Sequence, residues 1–249
     1  MIKSMLSKNE AKYIQSLGHK KRREEERLFL VEGNKMVAEL MERYPQQIVR
    51  LYATETFYSN NPATNQVAQH TVVTDDELTR ISQLQTPNQA LAVVHYFPEK
   101  EWEPSNDSWT LALDGIRDPG NMGTIIRMAD WFGINSIICS PDCADIYNPK
   151  VVQATMGSIM RVSVIEKELS SFLSGQQLPV VGAVLGGKEL ASFEYPTAGI
   201  LVIGNEANGI REDVQSLLTE KLTIPRFGEA ESLNAAIATS IFLWELKRG

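Results

Sequence analysis

The chain has 249 residues, of which 43% are hydrophobic and 22% charged, and its formal net charge is −7. This composition is too apolar for a disordered chain and too varied for a fibrous one. No apolar run approaches the roughly 18 residues of a membrane span, and the first residues lack the apolar stretch of a signal peptide. Two cysteines are too few for a disulfide framework. These features predict a soluble, cytoplasmic protein of one large or two modest domains.

The first 98 residues alternate helical and extended patterns, which predicts a small α/β domain over residues 1–98. The predicted helices are 9–17 and 35–43, and the predicted strands are 28–32, 48–53 and 89–95. Residues 99–108 are rich in Pro, Glu, Asp and Ser and have no hydrophobic periodicity. This segment predicts a linker to a second domain over residues 109–249.

Basic residues are concentrated at the start of the first domain, where residues 1–23 hold seven Lys or Arg and one acid. Two interpretations remain open for this segment. It is an electrostatic footprint for nucleic acid, or it is a solvated helix face paired with the three glutamates that follow at 24–26. The acidic net charge of the whole chain argues against a non-specific polyanion binder, so charge alone does not decide. The candidate RNA-binding residues are Lys20, Lys21, Arg22 and Arg23.

The second domain alternates short apolar strands with helical patterns, which is typical of a parallel sheet covered on both faces. The predicted strands are 110–113, 136–139, 162–165, 179–184, 199–203 and 222–224. The predicted helices are 123–132, 150–156, 212–218 and 234–246. The fold class predicted for this half is therefore α/β with a doubly wound parallel sheet.

Ligands of open parallel sheets bind beyond the carboxyl ends of the strands, and the loop over residues 114–124 follows such a strand. It contains two glycines that permit close backbone approach, and Asn121 is placed to cap the next helix. A strand–turn–helix cap explains these residues but leaves Arg127, in the following helix, without a role. The loop lacks the G-x-G-x-x-G pattern, so a dinucleotide site is disfavoured.

Two further loops follow strands of the same sheet. Residues 203–210 place Glu206 among glycines and asparagines, in a loop that exposes backbone groups to a flat polar ligand. A tight turn explains this loop equally well. Residues 224–234 form the other loop, in which Ser232 or Asn234 is a candidate helix cap. A metal site is not predicted, because the three histidines are scattered and the two cysteines, a strand-end and a loop thiol, form no ligand set.

The order and spacing of the three loops resemble the motifs of the SpoU/TrmH family of RNA methyltransferases. The matching segments are Asn-Met-Gly-Thr-Ile-Ile-Arg at 121–127, Gly-Asn-Glu-Ala-Asn-Gly-Ile at 204–210 and Ile-Pro-Arg-Phe-Gly-Glu-Ala-Glu-Ser-Leu-Asn at 224–234. The resemblance covers residues 110–247. Residues 20–23 and 29–35 are similar to the family's substrate-binding domain. Ala207 stands where many relatives have Gly.

The resemblance implies a SPOUT catalytic domain with a deep trefoil knot, an exception to the rule that chains do not thread loops. It also implies a homodimer with the active site near the subunit interface, and methylation of a ribose 2′-hydroxyl in rRNA or, less favoured, tRNA. The implied cofactor is S-adenosylmethionine, held by the knot loops. Its binding residues would be Gly204, Glu206, Gly209, Ile224, Pro225 and Leu233.

By the same resemblance Arg127 is the main catalytic candidate. A guanidinium stays protonated up to a pH of about 12 and is a poor general base, so a forked contact to the target's phosphate is the favoured role. Asn121 would orient the loop or the ribose, and Ser232 and Asn234 would support Arg127 or the substrate hydroxyl. Glu206 is expected to fix its loop through backbone hydrogen bonds rather than to act as a base.

Two other functions are compatible with the pattern. One is a catalytically silent RNA-binding or assembly protein of the same fold, and the other is a different nucleotide-binding α/β enzyme. A silent relative has no chemical reason to keep the whole set of candidate catalytic residues, and another nucleotide enzyme would lack the basic N-terminal segment. The sequence therefore favours the methyltransferase.

Overall fold

The computed structural model describes residues 6–248, except for the side chains of Asn65 and Gln66. The described part excludes residues 1–5 and 249. The first lysine of the basic segment is among the excluded residues. The chain forms two compact units. Unit 1 takes the described residues up to Pro98 together with Tyr147–Gly157, and unit 2 takes Glu99–Ile146 and the residues from Ser158 onward. The segment Tyr147–Gly157 lies in the second domain by sequence, but it packs within unit 1.

Unit 1 is built on a four-stranded sheet in the order β1-β4-β2-β3, in which only β2 and β3 pair in parallel. The elements in chain order are α1 Lys8–Ser16, α2 Lys20–Glu26, β1 Leu28–Glu32, α3 Asn34–Arg43, β2 Ile48–Ala53, α4 Glu55–Asn60, β3 His70–Val72, α5 Asp75–Ile81 and β4 Ala90–His95. Two of the predicted strands, β1 and β2, are confirmed at the predicted residues. The helices α4 and α5 and the strand β3 were missed.

The second half of the chain contains six more strands and five more helices. They are β5 Trp109–Asp114, α6 Pro119–Trp131, β6 Ser136–Cys139, α7 Pro149–Thr155, β7 Ser163–Glu166, α8 Leu169–Ser174, β8 Val180–Glu189, β9 Gly199–Gly204, α9 Glu212–Gln215, β10 Glu220–Thr223 and α10 Ala235–Arg248. Of these, α7 belongs to unit 1, where it packs against β1. The Tyr147 ring that precedes it stacks on Tyr96 with 3.8 Å between ring centroids.

Unit 2 contains a six-stranded sheet in the order β10-β8-β9-β5-β6-β7, and every neighbouring pair is parallel. All six residues of β5 are buried, as expected for a central strand covered on both faces. Ala112 of β5 and Val202 of β9 pack with side chains of α8 and α9, while α6 and α10 contact each other. The predicted α/β class with a mostly parallel sheet is confirmed. Among residues 6–248, no helix has the length and apolarity needed to cross a membrane.

The exposed basic residues of α2 are largely paired along their own helix. Lys20 lies 3.6 Å from Glu24, and the Arg22 guanidinium lies 2.7 Å from Glu26. Lys21 takes part in neither pair and is exposed. The interpretation of this segment as a charged, solvated helix face therefore describes part of its structure, and exposed ion pairs of this kind contribute little to stability.

Arg23 differs from its neighbours because its side chain is buried, with 1% of the residue exposed. Its Nη1 donates to the carbonyl oxygens of Leu17 at 2.9 Å and Gly18 at 2.8 Å, where the chain leaves α1. These carbonyls have no helical partner of their own, and the guanidinium satisfies them. The assignment of Arg23 to the RNA-binding set is therefore corrected: this arginine stabilises unit 1 and presents no charge to a ligand.

Candidate functional site

A cleft of about 1080 Å³ opens beside the carboxyl ends of β9 and β10 in unit 2. It is lined by the loop over residues 204–210, by the loop over residues 224–233 and by the middle of β8. All six residues predicted to hold a cofactor line this cleft, and so does the catalytic candidate Ser232. These seven are Gly204, Glu206, Gly209, Ile224, Pro225, Ser232 and Leu233. The structure thus brings two loops, some twenty residues apart in the chain, to one concave surface.

The loop after β9 folds back on itself so closely that only glycine fits at its start. A Cβ added to Gly204 would lie 2.2 Å from the carbonyl carbon of Gly209. The loop is closed by a pair of backbone hydrogen bonds between Asn205 and Gly209, at 3.0 and 2.8 Å. The positive φ of 67° in this turn falls on Gly209 and not on Ala207, so the alanine fits the loop without strain.

Asn205, which the sequence analysis did not single out, is the residue that fixes this loop. Its Oδ1 accepts the backbone N–H of Ala207 at 2.9 Å, and its Nδ2 donates to the Gly115 carbonyl at 2.8 Å. The expectation that Glu206 holds the loop through backbone hydrogen bonds is corrected, because the Glu206 carboxylate accepts a side-chain amide instead. The sequence signal for this role is the Asn itself, because an Asn in a glycine-containing loop commonly bonds the backbone N–H two residues further on.

Three of the candidate catalytic residues form one hydrogen-bonded chain. Nδ2 of Asn234 donates to Oδ1 of Asn121 at 2.8 Å, and Nδ2 of Asn121 donates to Oε1 of Glu206. Asn234 is itself held at the start of α10, because its Oδ1 accepts the N–H groups of residues 236 and 237 at 3.0 and 3.2 Å. Asn234, and not Ser232, is thus the helix cap. Residues from three loops are joined in a fixed order.

Asn121 does not cap the helix that follows the first loop, contrary to the prediction. Asp118 is the cap, since its Oδ1 accepts the Asn121 N–H at 2.8 Å, and Pro119 occupies the first helical position. Proline is well suited there because the first helical N–H has no partner. The helix consequently begins four residues earlier than predicted. Asn121 lies in its first turn, where its side chain is available for Glu206 and Asn234.

Arg127 lies apart from the Asn234–Asn121–Glu206 chain. It is exposed on α6 and lines a separate shallow groove with Trp131 and Trp244. Among the described residues, no hydrogen bond joins Arg127 to Ser232 or Asn234, and the expectation that these two support Arg127 or the substrate hydroxyl stays a prediction. Six residues of helix separate Arg127 from Asn121, a rise of about 9 Å. Within one chain, the arginine therefore does not complete the cleft.

The two cysteines lie beside the first loop, within unit 2. The Cys143 sulfur accepts the Ile116 N–H at 3.2 Å. A hydrogen bond from Cys139, followed by those from Ser140 and the backbone, lowers the pKa of Cys143 to about 7 although burial opposes the shift. The same contact and burial raise the pKa of Cys139. Among the residues that the structure describes, no group of three or more His, Cys, Asp or Glu side chains is placed to hold a metal ion.

Comparison with known protein families agrees with this geometry. The model of the SpoU rRNA methylase family matches residues 108–244, more than half of the chain and nearly all of unit 2. The chain belongs to the SpoU rRNA methylase family. A second model, the MRM3-like substrate binding domain, matches residues 8–92. The resemblance inferred from the three loops and from the N-terminal segment is confirmed.

The similarity of this SpoU-family chain to known proteins extends over both units. The 23S rRNA (guanosine(2553)-2′-O)-methyltransferase RlmP of Bacillus subtilis is 29% identical over 232 residues, 92% of each chain. A TrmH-family structure from Porphyromonas gingivalis is 37% identical, with a TM-score of 0.86 and coverage of 98% of this chain and 99% of that one. The AdoMet-bound rRNA methyltransferase from Sinorhizobium meliloti is 29% identical, with a TM-score of 0.88 over 98% and 96%.

Proposed function

We propose that this protein transfers a methyl group from S-adenosylmethionine to a ribose 2′-hydroxyl of ribosomal RNA, with tRNA the less favoured substrate. The observation that carries the proposal is the chain Asn234–Asn121–Glu206 at the edge of a cleft lined by all six predicted cofactor residues. Family membership and the rRNA methyltransferase activities named for RlmP and the Sinorhizobium enzyme support it. We expect the enzyme to act in the cytoplasm, where it meets its RNA.

The cleft residues fit S-adenosylmethionine. The volume of about 1080 Å³ is large enough for a nucleoside joined to an amino acid. The missing side chain of Gly204 lets the loop fold back onto Gly209, which places the loop's backbone at the cleft, and Ile224 and Leu233 offer apolar contacts. When bound, the cofactor supplies a methyl group activated by its sulfonium charge. We also propose that unit 2 contains the trefoil knot of the family and that the two cleft loops are the segments that cross in it.

The hydrogen-bonded chain suggests how the substrate hydroxyl is held. Because Asn234 accepts two helix N–H groups, its Nδ2 is directed to Asn121, and Asn121 in turn directs its own Nδ2 to Glu206. One carboxylate oxygen of Glu206 is thereby occupied. The other has no partner among the described residues and is available to accept the ribose O–H. We assign Glu206 to orienting that hydroxyl, while the proton passes to the target's phosphate, a neighbouring side chain or water.

Arg127 is assigned to a forked contact with the target's phosphate, which would stabilise the developing alkoxide. Its position on the α6–α10 face connects this role to a homodimer. That face exposes Trp131 at 83%, Trp244 at 60% and Ile237 at 53%. Apolar side chains of this size, side by side on a soluble chain, are typical of an interface. A second copy packed on this face would bring Arg127 to an active site shared by two subunits.

Unit 1 is proposed to supply RNA affinity, in keeping with the division into residues 1–98 and 109–249. The basic side chains that remain at the surface of α2 are the exposed Lys20 and Lys21 and the partly exposed Arg22. Two of them form ion pairs with glutamates on the same helix. Surface ion pairs of this kind are weak, so a phosphate can replace the glutamates. A 2′-hydroxyl target favours RNA over DNA, because only RNA carries that group.

The test combines cofactor binding by calorimetry with transfer of labelled methyl groups to RNA. Wild-type protein is expected to do both. Arg127→Lys keeps the charge but loses the fork, so turnover should fall at least tenfold while the cofactor Kd stays unchanged. Normal turnover in this variant would contradict the forked contact. If the wild-type protein neither bound the cofactor nor transferred methyl groups, it would be the silent RNA-binding relative.

A further inference from the structure

Asp114 and Arg211 join two loops of unit 2 outside the lining of the cleft. Asp114 is the last residue of β5 and is buried, with 1% of the residue exposed. Arg211 comes directly after the loop 204–210. Its backbone N–H donates to Asp114 Oδ2 at 2.8 Å, and its Nε donates to Asp114 Oδ1 at 2.7 Å. Both carboxylate oxygens are used, so backbone and side chain of Arg211 are fixed together.

Further contacts place this pair in a network that spans three loops. Asp142, after β6, accepts from Arg117 at 2.9 Å and from Ser140 at 2.7 Å, and these bonds lower its pKa. Burial lowers the pKa of Arg211, but the charge of Asp114, the hydrogen bond to it and the charges of Asp142 and Asp213 together raise that pKa by more. The ion pairs Asp114–Arg211 and Asp142–Arg117 are thus linked by the attraction between Arg211 and Asp142.

The network does not touch the cleft itself. Neither Asp114 nor Arg211 is among the residues that line it. The loop 204–210 offers a ligand mainly backbone groups, so its affinity depends on whether these groups are already in place before binding. The pair Asp114–Arg211 fixes the carboxyl end of that loop, as the Asn205–Gly115 hydrogen bond fixes its beginning.

We propose that Asp114 and Arg211 are positioning residues that set the affinity for S-adenosylmethionine by holding the loop 204–210 in its binding conformation. This inference rests on the proposed function. The competing interpretation is an ion pair that stabilises unit 2 as a whole. A matched pair in the same unit separates the two, because Arg161 Nε lies 2.8 Å from Asp130 Oδ2 away from the cleft.

The experiment compares Arg211→Gln with Arg161→Gln, using calorimetry for the cofactor Kd and thermal unfolding for stability. Arg211→Gln is expected to weaken binding about tenfold, the equivalent of about 1.4 kcal/mol. Arg161→Gln should lower Tm without changing the Kd. Arg211→Gln and Arg211→Lys both keep the backbone bond to Asp114, and Arg211→Lys also keeps the charge, so its Kd should fall between those of wild type and Arg211→Gln. The KM for the cofactor should rise with the Kd, whereas RNA affinity should not change.

Two results would overturn the inference. One is an Arg211→Gln protein that binds the cofactor as tightly as wild type. The other is an equal loss of affinity in Arg161→Gln, which would make the effect one of general stability. Absence of cofactor binding by the wild-type protein is distinguishable from both, since it refutes the proposed function and the inference with it.

Discussion

An Arg23→Met variant keeps the aliphatic stem of the buried side chain and removes its hydrogen-bond donors. The lost contacts include those to the carbonyl oxygens of Leu17 and Gly18, at 2.9 and 2.8 Å. A hydrogen bond from a charged donor is worth about 1.5–3 kcal/mol, and part of this is returned because a guanidinium no longer has to be buried. The expected loss in free energy of unfolding is therefore about 3 kcal/mol.

Urea unfolding followed by far-ultraviolet circular dichroism measures this loss. With a denaturant dependence of about 2 kcal/mol per molar, the midpoint should fall by about 1.5 M. Lys21→Met is the matched control, since Lys21 lies two residues away on the same helix and is exposed. It should leave the midpoint unchanged and weaken RNA binding. If Arg23→Met unfolded at the wild-type midpoint and lost RNA affinity as Lys21→Met does, Arg23 would be a surface contact and the reasoning would fail.

Three further predictions follow from the site and the basic helix. Gly204→Ala should abolish cofactor binding in calorimetry, because its Cβ would lie 2.2 Å from a backbone carbon, whereas Gly209→Ala should only weaken it through strain at φ 67°; equal losses would contradict this. Alkylation of Cys143 by iodoacetamide should rise with pH through a midpoint near 7, because the thiolate reacts and its pKa is lowered to about 7; a midpoint above 8.5 would contradict it. Neutralising residues 20–22 together should weaken RNA binding and flatten its salt dependence, and an unchanged salt slope would make this segment a solvated face only.

The strands of the fold were largely predictable because they are short, apolar and β-branched. The strands β1, β2 and β6 lie at the predicted residues. The missed elements α4, α5, α8 and β3 have three to seven residues, too few for a hydrophobic period to show. The helix α6 begins at Pro119, four residues before the predicted start, because Asp118 caps it and Pro119 suits its first position.

The residues of the candidate site were predictable from the sequence, but the hydrogen bonds between their side chains were not. The three motifs identified the residues that line the cleft, whereas the sequence does not tell which side chain Glu206 meets. Asp114 sits at the end of an apolar strand with nothing in the local pattern to mark it as the partner of Arg211. Arg23 shows the same limit, because a count of charges along the chain does not reveal which face of a helix is buried.

The central claim is tested most directly by the chemical identity of the methylated product. Unmethylated total RNA would be incubated with the protein and labelled S-adenosylmethionine, separated into rRNA and tRNA, and digested to nucleosides. We expect the label in a single 2′-O-methylnucleoside from the rRNA fraction. Label on a base instead of a ribose, or no label from protein that binds the cofactor and full-length rRNA, would contradict the account.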